Sequence, residues 1–463
     1  MLFLVLQHVL VPRPMGLSID EATYLAKVDP EVPEQYWTEV RAWGMPLLAA
    51  PVGVLSAGTG TVRLWFSVLS STGLVAAFWP WRRVLHPAVA PLAALLLATC
   101  WYALSFGSQV MPNLWVGLGA VATTGLFLRA VQTRGWVHLL GAGAAAGLVA
   151  LVRPSDNALL LLGVAACALV VPRLRRAGPL LALAVGSLVG WLPWVVEAYL
   201  RFDGPLARLR GGNETGLKGG VTGNLINVQT YPRILDGSPA YCCYGAPASE
   251  AGPLPVLFTA WYLAVPVLAL LGLVAARRLG RLPETAVALV PGGLFAAFYL
   301  FMLPFASARF LLPISALLAL PVAVGLVAVG ARRGAALGLA AVVVAGHLGL
   351  MLREASRELP ETTENREADV RVARGVRPLV PTRPCVVIGV KPQVRSYYLG
   401  CFPQMLRPVT AEPPPRVRAV LEQGGSVVAV LSAPAPRRSY VASWRSERVP
   451  GAPDRWRVYV PPG

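Results

Sequence analysis

Two adjacent carboxylates, Asp20 and Glu21, stand at the start of the first polar segment of the chain, in the stretch Ser-Ile-Asp-Glu-Ala-Thr-Tyr that begins at Ser18. One interpretation is structural, because Ser18 would cap a helix and Glu21, three positions later, would complete a capping box. The other is chemical, since a carboxylate can take a proton from a reacting hydroxyl or bind a divalent metal ion. The two roles are compatible with each other.

Arginine residues stand at the ends of later apolar runs. Arg153 precedes a proline, and Arg309 precedes a Phe-Leu-Leu-Pro sequence. A guanidinium can bind two oxygens of one oxyanion, so both are candidate binding residues, with Arg41 as a third candidate. The alternative is that these arginines anchor helix ends at the membrane surface, and Arg41 could lie on an interfacial helix. Asp156 is a second candidate base, although it could instead cap a helix that starts near Asn157.

Aromatic and amide side chains occur at the same ends of the apolar runs. Four of them complete the candidate site: Tyr24, Trp43, Asn113 and Trp194. The Trp-Gly-x-Pro sequence at Trp43 could also be an interfacial aromatic followed by helix breakers. Each of these residues alone is typical of a turn, but we expect them together to surround one surface.

The composition indicates that these residues are carried by membrane-spanning helices. Of the 463 residues, 55% are hydrophobic and 14% are charged, whereas soluble domains carry about 25% charged residues. The net charge of +18 could suggest nucleic-acid binding. Many of the arginines, however, lie in short loops between apolar runs, where charges set membrane topology. We therefore expect no nucleic-acid partner.

Apolar runs predict about eleven transmembrane helices, on the criterion of about 20 residues per span. The runs are 1–11, 62–79, 87–104, 110–128, 136–152, 157–172, 178–195, 253–276, 284–303, 309–330 and 334–352. The first run reaches only about 17 Å as a helix, which indicates a missing N-terminal stretch or a misassigned start. A signal peptide is the alternative, although a basic segment and a small-residue cleavage site are not evident.

Basic loops predict how the chain is oriented. Arginines follow the second, fourth, sixth, eighth and tenth runs, so these five loops lie on one face, which the positive-inside rule makes cytoplasmic. The arginines are Arg82, Arg83, Arg129, Arg134, Arg173, Arg175, Arg176, Arg277, Arg278, Arg281, Arg332 and Arg333. We therefore predict a transmembrane domain over 1–352, with outer loops 12–61 and 196–252, and an outer domain over 353–463.

The C-terminal region is predicted to be a small α/β domain. An apolar strand begins at Cys385, a helix covers 417–423, and a second strand begins at Ser426, in β–α–β order. The charged segment 353–372 is expected to be a solvated linker. The region has no Gly-rich phosphate loop, so we expect an accessory role rather than a catalytic centre.

Six cysteines are compatible with this topology. Cys100 and Cys167 fall within apolar runs and are expected to be small core residues. The other four lie in predicted outer segments, where a disulfide can persist. Three pairings are possible for these four cysteines. A bond between Cys385 and Cys401 is the simplest, and four free thiols are the alternative; the other two of the four are Cys242 and Cys243.

In the order and spacing of these motifs, the sequence resembles the GT-C glycosyltransferases, multi-spanning enzymes that use polyprenyl-phosphate sugars. The resemblance covers about the first 350 residues and an outer C-terminal domain. It rests on Asp20-Glu21 with Tyr24, Arg41 with Trp43-Gly44-x-Pro46, Arg153-Pro154, Trp191 to Trp194, and Arg309-Phe310-Leu311-x-Pro313. The chain departs from many members at Asn113, where they place an acidic residue.

The resemblance implies transfer of a sugar from a polyprenyl-phosphate donor, with inversion, to an acceptor hydroxyl at the outer membrane face. Asp20 would be the general base, with Glu21 as an orienting or metal-binding partner, and Asp156 would be the reserve base. Arg309, Arg153 and Arg41 would contact the donor phosphate. A divalent metal bound by Asp20 and Glu21 is a possible cofactor, and the acceptor could be a lipid, polysaccharide or protein.

A transporter or flippase of lipid-linked sugars is the alternative function. Such proteins place charges or broken helices near mid-bilayer, often in repeated halves. In this sequence the middles of the runs are almost free of charge, no internal repeat is evident, and the polar residues gather at one face. These features favour the enzyme. A simple membrane anchor for the C-terminal domain would not explain ten or more spans.

Overall fold

The computed structural model of the protein describes residues 1–12, 15–215, 223, 225–237, 253–407, 409 and 411–462. The chain divides into two compact units. The helical unit comprises Met1–Leu10, Thr38–Met45 and Phe66–Glu358. The α/β unit comprises Val11–Trp37, Pro46–Trp65 and Leu359–Gly463. This division differs from the predicted boundary at 352, because most of the first polar segment joins the C-terminal region in one unit.

Helices account for most of the chain up to residue 376. In chain order they are α1 (Leu2–Leu10), α2 (Ile19–Leu25), α3 (Gly44–Gly53), α4 (Thr59–Phe78), α5 (Val89–Ala98), α6 (Trp101–Gly107), α7 (Pro112–Thr133), α8 (Trp136–Val152), α9 (Pro154–Val170), α10 (Ala177–Arg201), α11 (Pro205–Thr215), α12 (Ile226–Leu235), α13 (Val256–Arg278), α14 (Leu282–Phe301), α15 (Leu311–Gly330) and α16 (Ala335–Val376). The predicted multi-pass helical architecture is confirmed.

Fewer helices than predicted meet a strict criterion for a membrane span. Within the described ranges, seven helices are long and apolar enough to cross a membrane, and eight if α5 and α6 form one broken span. Helices α8 and α9 are apolar but have 17 residues each, which corresponds to about 26 Å. The predicted number of about eleven spans stays a prediction.

The predicted span 87–104 is interrupted, since α5 and α6 meet at an angle of 77°. The break frees backbone carbonyls at the end of α5. His347 of α16 satisfies one of them, because its Nε2 lies 2.9 Å from the carbonyl oxygen of Leu96 and 3.1 Å from Oγ1 of Thr99. Trp261 donates to the other ring nitrogen of His347 at 3.1 Å. His347 therefore adds hydrogen bonds from α16 to the end of α5, where the helix is interrupted.

Residues 353–372 do not form the predicted solvated linker, because α16 continues through them to Val376. Charged residues one turn apart pair along the helix, as Glu354 does with Arg357 at 2.5 Å and Glu367 with Arg371 at 3.8 Å. Such pairs support helix formation in a polar sequence. Buried Leu359 adds an apolar position to this segment.

A five-stranded sheet forms the C-terminal part of the α/β unit. Its elements are β1 (Cys385–Gly389), α17 (Gln393–Leu399), β2 (Phe402–Met405), α18 (Pro415–Glu422), β3 (Ser426–Leu431), β4 (Arg445–Arg448) and β5 (Arg457–Val460). The strand order is β2-β1-β3-β5-β4. β1 runs parallel to β2 and β3, and β5 runs antiparallel to β3 and β4. The predicted strand, helix and second strand correspond to β1, α18 and β3, while α17, β2, β4 and β5 were not predicted.

The cysteine predictions are confirmed where the structure describes them. Cys385 and Cys401 form a disulfide with a Cα–Cα distance of 4.9 Å. Cys100 and Cys167 are buried and free. The predicted outer residues Cys242 and Cys243 lie outside the described residues.

Several basic loops of the helical unit lie at the same end of that unit. Arg173, which follows α9, forms an ion pair with Glu284 of α14 at 2.9 Å, and Arg281 lies 3.7 Å from the same carboxylate. Arg278 and Arg332 line one cavity of about 500 Å³. This clustering agrees with the predicted alternation of basic loops. Which side of the membrane they face stays a prediction.

Candidate functional site

Helix α2 of the α/β unit carries the acidic pair, and its capping box forms as predicted. The backbone N–H of Ser18 donates to Oε2 of Glu21 at 2.9 Å, and the backbone N–H of Glu21 donates to Oγ of Ser18 at 3.4 Å. These two bonds satisfy donors that the first turn of a helix would otherwise leave unpaired. The capping box therefore fixes the backbone that carries Asp20.

Glu21 is completely buried and is held by two arginines of the same unit. Both Nη atoms of Arg63 contact its carboxylate, with Nη2 at 3.0 Å from Oε2, and Nη1 of Arg366 lies 3.2 Å from Oε2. Burial would raise the pKa of Glu21, but the charge and hydrogen bonds of Arg63, together with the charge of Arg366, hold that pKa below its usual value. Glu21 is therefore an ionised structural group.

The environment of Glu21 does not fit the predicted metal-binding role. Both carboxylate oxygens already contact guanidinium groups, and a metal ion would add positive charge beside two arginines. Among the residues that the structure describes, no group of three or more His, Cys, Asp or Glu side chains is arranged to hold a metal ion.

Asp20 has a different environment although it is the neighbouring residue. Its side chain is half-buried, whereas that of Glu21 has 0% exposure. Tyr24, one turn later, is buried and packs edge-on against Trp37 with ring centroids 6.0 Å apart. Of the two adjacent carboxylates, Asp20 is therefore the one with part of its surface exposed.

Helix α17 of the sheet region holds the chain on both sides of α2. The hydroxyl of Tyr398 accepts from the backbone N–H of Leu17 at 2.9 Å. The hydroxyl of Tyr397 donates to Oδ2 of Asp29 at 2.8 Å, and Oγ of Ser56 donates to Oδ1 of the same carboxylate at 2.7 Å. Both tyrosines were absent from the predicted site.

In the helical unit, Arg153 and Asp156 come together at the start of α9. Nε of Arg153 lies 3.5 Å from Oδ1 of Asp156, and the hydroxyl of Tyr299 donates to Oδ2 at 2.6 Å. Asp156 has 0% exposure. Helix α9 begins at Pro154 with Arg153 as its N-cap, so the interpretation of Asp156 as the cap of a helix near Asn157 is wrong.

The ring of Phe310 brings together two of the predicted phosphate ligands. The guanidinium carbon of Arg153 lies 5.5 Å from the ring centroid, and that of Arg309 lies 5.4 Å from it. The ring also stacks on Tyr299 at a centroid distance of 4.9 Å. Both guanidinium groups therefore lie within 6 Å of one aromatic ring, and Arg153 is also paired with Asp156.

Asn113 lies in the first turn of α7 and is buried. Within the described part of the chain, neither its amide oxygen nor its amide nitrogen has a hydrogen-bond partner. An unpaired buried amide costs free energy, and a bound ligand that paired with it would remove that cost. Helix α7 contacts the 3₁₀ turn Ala308–Phe310, which carries Arg309.

Close packing explains the glycine of the Trp43-Gly44 sequence. A Cβ atom on Gly44 would lie 2.6 Å from Cα of Val152, the residue before Arg153. Only glycine permits this close approach. Arg41 lies in a non-helical segment, so the interfacial helix considered for it is not present, and its carbonyl accepts from Nη2 of Arg208 at 2.8 Å.

Trp194 packs against Arg208, a residue outside the predicted site. The guanidinium carbon of Arg208 lies 4.6 Å from the Trp194 ring, and its Nη2 lies 2.9 Å from Oε2 of Glu197. Sequence reasoning did not identify Arg208, Arg63, Arg366 or Tyr299. Arg63 had a usable signal, because it is a lone cation inside a predicted span.

Comparisons with known proteins agree with this fold. Residues 44–196 match the family model described as dolichyl-phosphate-mannose-protein mannosyltransferase. No curated protein matches the sequence. The ArnT protein of Cupriavidus metallidurans, crystallised with undecaprenyl phosphate, has a similar structure: the TM-score is 0.64 at 14% identity, over 99% of this chain and 96% of that one.

A second solved structure is also similar. It is the Archaeoglobus fulgidus oligosaccharyltransferase in complex with Zn and sulfate, with a TM-score of 0.58 at 14% identity. The match covers 93% of this chain and 67% of that one. Together these matches confirm the predicted polytopic helical fold with a small C-terminal sheet domain, and they confirm the resemblance drawn from the sequence motifs.

Proposed function

We propose that this chain, which has the fold of the GT-C glycosyltransferases and matches their mannosyltransferase family model over residues 44–196, transfers a sugar from a polyprenyl-phosphate donor. The acceptor is a hydroxyl group, and the reaction takes place at the outer membrane face. The observation that carries the proposal is the pair of guanidinium groups, of Arg153 and Arg309, on the ring of Phe310.

A phosphate suits this pair for chemical reasons. Each guanidinium presents planar N–H groups that match phosphate oxygens, and a phosphate has enough oxygens to engage two of them. Nε of Arg153 is directed by Asp156, whose other oxygen is fixed by Tyr299. Asp156 is therefore a positioning residue in this proposal, and Arg153 and Arg309 bind the donor phosphate.

Asp20 is the proposed general base. The acceptor oxygen forms a bond to the anomeric carbon while its proton passes to the Asp20 carboxylate. The bond from the anomeric carbon to the phosphate oxygen breaks, and its electron pair stays on the departing polyprenyl phosphate. The arginines stabilise this added negative charge. A single displacement of this kind inverts the anomeric configuration.

The different environments of the carboxylates support Asp20 over Asp156 as the base. Asp156 is completely buried, and both of its oxygens are engaged by Arg153 and Tyr299. An acceptor hydroxyl could reach it only after that cluster had been disrupted. Asp20 is half-buried on a helix whose neighbouring carboxylate is fixed by two arginines.

Donor binding tests the proposed phosphate ligands. We expect Arg309→Lys to weaken the binding of polyprenyl phosphate to the purified protein by roughly tenfold or more, because lysine keeps the charge but loses the planar fork. Arg309→Ala should weaken it further. Arg201→Lys is a matched control, since Arg201 is more exposed than Arg309 and lies 3.6 Å from Glu197. Unchanged binding by both Arg309 variants would contradict the assignment.

A further inference from the structure

A second positive site lies at the other end of α8 from Arg153. It is a cavity of about 570 Å³ beside the end of α7 and the start of α10. Helix α8 separates it from Arg153 by 17 residues, or about 26 Å. Four arginines line the cavity: Arg134, Arg173, Arg175 and Arg176. None of them belongs to the proposed catalytic machinery.

Two of the four arginines already contact other groups of the protein. Arg173 pairs with Glu284 at 2.9 Å, and Nε of Arg175 donates to the carbonyl oxygen of Ala168 at 3.0 Å. Within the described residues, Arg134 and Arg176 form no ion pair. Since Glu284 is shared with a further arginine, the cavity keeps a net positive charge.

The start of α10 adds backbone donors to this charge. Arg176 is the N-cap of α10, and its side chain makes no capping hydrogen bond. Ala177 and Gly178 follow and also line the cavity. Their N–H groups belong to the first helical turn, where no intrahelical acceptor exists, and the helix dipole favours an anion at this position.

Exposed apolar side chains occur near the starts of α8 and α10, the two helices whose first turns line the cavity. Trp136 and Leu140 in the first two turns of α8 are 69% and 64% exposed, and Leu181 in the second turn of α10 is 63% exposed. Tryptophan is typical of the membrane interface. The cavity is therefore cationic, and the helix surfaces next to it are suited to hydrocarbon chains rather than to water.

The two helices that frame the cavity are held rigidly. Helices α8 and α10 pack through small residues, and a Cβ atom on Gly147 would lie 2.7 Å from the carbonyl oxygen of Gly186. A Cβ atom on Gly143 would lie 2.8 Å from the carbonyl oxygen of Ala182. Such close packing fixes the separation of the helix starts.

From these observations we infer that the cavity binds the phosphate headgroup of an anionic phospholipid, whose chains lie along the exposed faces of α8 and α10. Arg134, Arg176 and the first N–H groups of α10 contact the phosphodiester. The site combines charge and apolar surface as lipid recognition requires. It is separate from the proposed donor site and does not depend on the proposed transferase activity.

Native mass spectrometry of the detergent-purified protein tests this inference with three probes. These are dioleoyl phosphatidylglycerol, dioleoyl phosphatidylcholine and glycerol 3-phosphate. We expect phosphatidylglycerol to bind at least about tenfold more tightly than the other two. The double variant Arg134→Gln/Arg176→Gln should weaken phosphatidylglycerol binding on the order of 25-fold, at about fivefold per interfacial arginine.

A matched control removes the same number of positive charges at positions outside the cavity. Arg277→Gln/Arg333→Gln removes two arginines that do not line it and should weaken binding by less than about threefold. If the first double variant does not fold, Arg176→Gln alone should give about a fivefold loss. Equal losses in both double variants would indicate diffuse surface charge and overturn the inference. Equal binding of the two lipids, or of glycerol 3-phosphate and phosphatidylglycerol, would also overturn it.

Discussion

Replacing Glu21 by glutamine tests the buried ionic cluster under the proposed catalytic helix. The substitution keeps the side-chain length and an oxygen for the N–H of Ser18, but it removes the charge that Arg63 and Arg366 share. Arg63 is 1% exposed and Arg366 is 18% exposed. In Glu21→Gln, the fully buried guanidinium of Arg63 therefore loses the negative charge of Glu21.

The expected cost follows from that burial. Removing one partner of a buried ion pair destabilises a protein by about 3–5 kcal/mol, because the remaining charge is desolvated and unpaired. Arg63 still donates to the carbonyl oxygens of Met15 and Gly16, at 3.1 and 2.8 Å. We therefore expect the lower end of that range, about 3 kcal/mol.

A double-mutant cycle separates the two arginines. Arg366→Gln leaves the contact between Glu21 and Arg63 in place, so it should cost only about 1 kcal/mol. In the double variant Glu21→Gln/Arg366→Gln, Arg63 remains as the one cation of the cluster, whereas Glu21→Gln alone leaves both Arg63 and the partly buried Arg366. Its destabilisation should therefore be smaller than the sum of the single effects by roughly 0.5–3 kcal/mol.

The lowered pKa of Glu21 gives this cluster a defined pH dependence. A carboxyl whose pKa is lower in the folded state stabilises the fold above its unfolded pKa, and this contribution is lost as the pH falls through the folded pKa. Below its usual pKa the wild-type protein should therefore lose stability with acid. Glu21→Gln should lose less over the same range.

Thermal unfolding of the detergent-purified variants, followed from neutral to acidic pH, measures both effects. We expect Glu21→Gln to lose much stability at neutral pH and Arg366→Gln to lose little. The stability of Glu21→Gln should also fall less with acid than that of the wild-type protein. A neutral-pH stability of Glu21→Gln within about 0.5 kcal/mol of wild type would refute the reasoning. An unchanged acid dependence would refute the proposed ionisation state.

Two further predictions concern the buried amide and the topology. Asn113→Leu should leave the free protein as stable or more stable, by about 1 kcal/mol, because it removes a buried amide without a partner among the described residues. The same variant should weaken donor binding by roughly 5- to 30-fold if the amide contacts the donor; unchanged binding would exclude that contact. A reporter fused after Val460 should be active only when it reaches the outer side of the membrane, and activity confined to the cytoplasm would contradict the predicted orientation.

Features that depend on neighbouring residues were predictable from the sequence. The capping box of Ser18 and Glu21 needs only residues three positions apart, and β1, α18 and β3 follow from local apolar patterns. Arg153 and Arg309 were expected at the same face from their positions at the ends of apolar runs, and their role in donor binding followed from the family resemblance. In the structure each guanidinium carbon lies within 6 Å of the ring centroid of Phe310.

Features that depend on distant residues were not predictable. The partner of Glu21 on α16 lies 345 positions away, and the partner of Asp156 on α14 lies 143 positions away. The charge that made 353–372 resemble a solvated linker is partly used within the fold, since Arg366 contacts Glu21. At the bend between α5 and α6, the carbonyl oxygen of Leu96 accepts a hydrogen bond from His347, which is remote in sequence from both helices.

Sugar transfer by Asp20→Asn tests the central claim most directly. The purified protein would be given a labelled polyprenyl-phosphate sugar and an acceptor fraction from the membrane, and labelled product would be measured alongside donor binding. Asparagine keeps the size of the side chain but cannot take the proton, so turnover should fall by about 10²–10⁴-fold while donor binding and thermal stability stay near wild type. The account predicts that the wild-type protein transfers the sugar and that Asp20→Asn does not, although the variant still binds the donor. Near-normal turnover by Asp20→Asn, or donor bound by the wild-type protein with no sugar transferred, would contradict it.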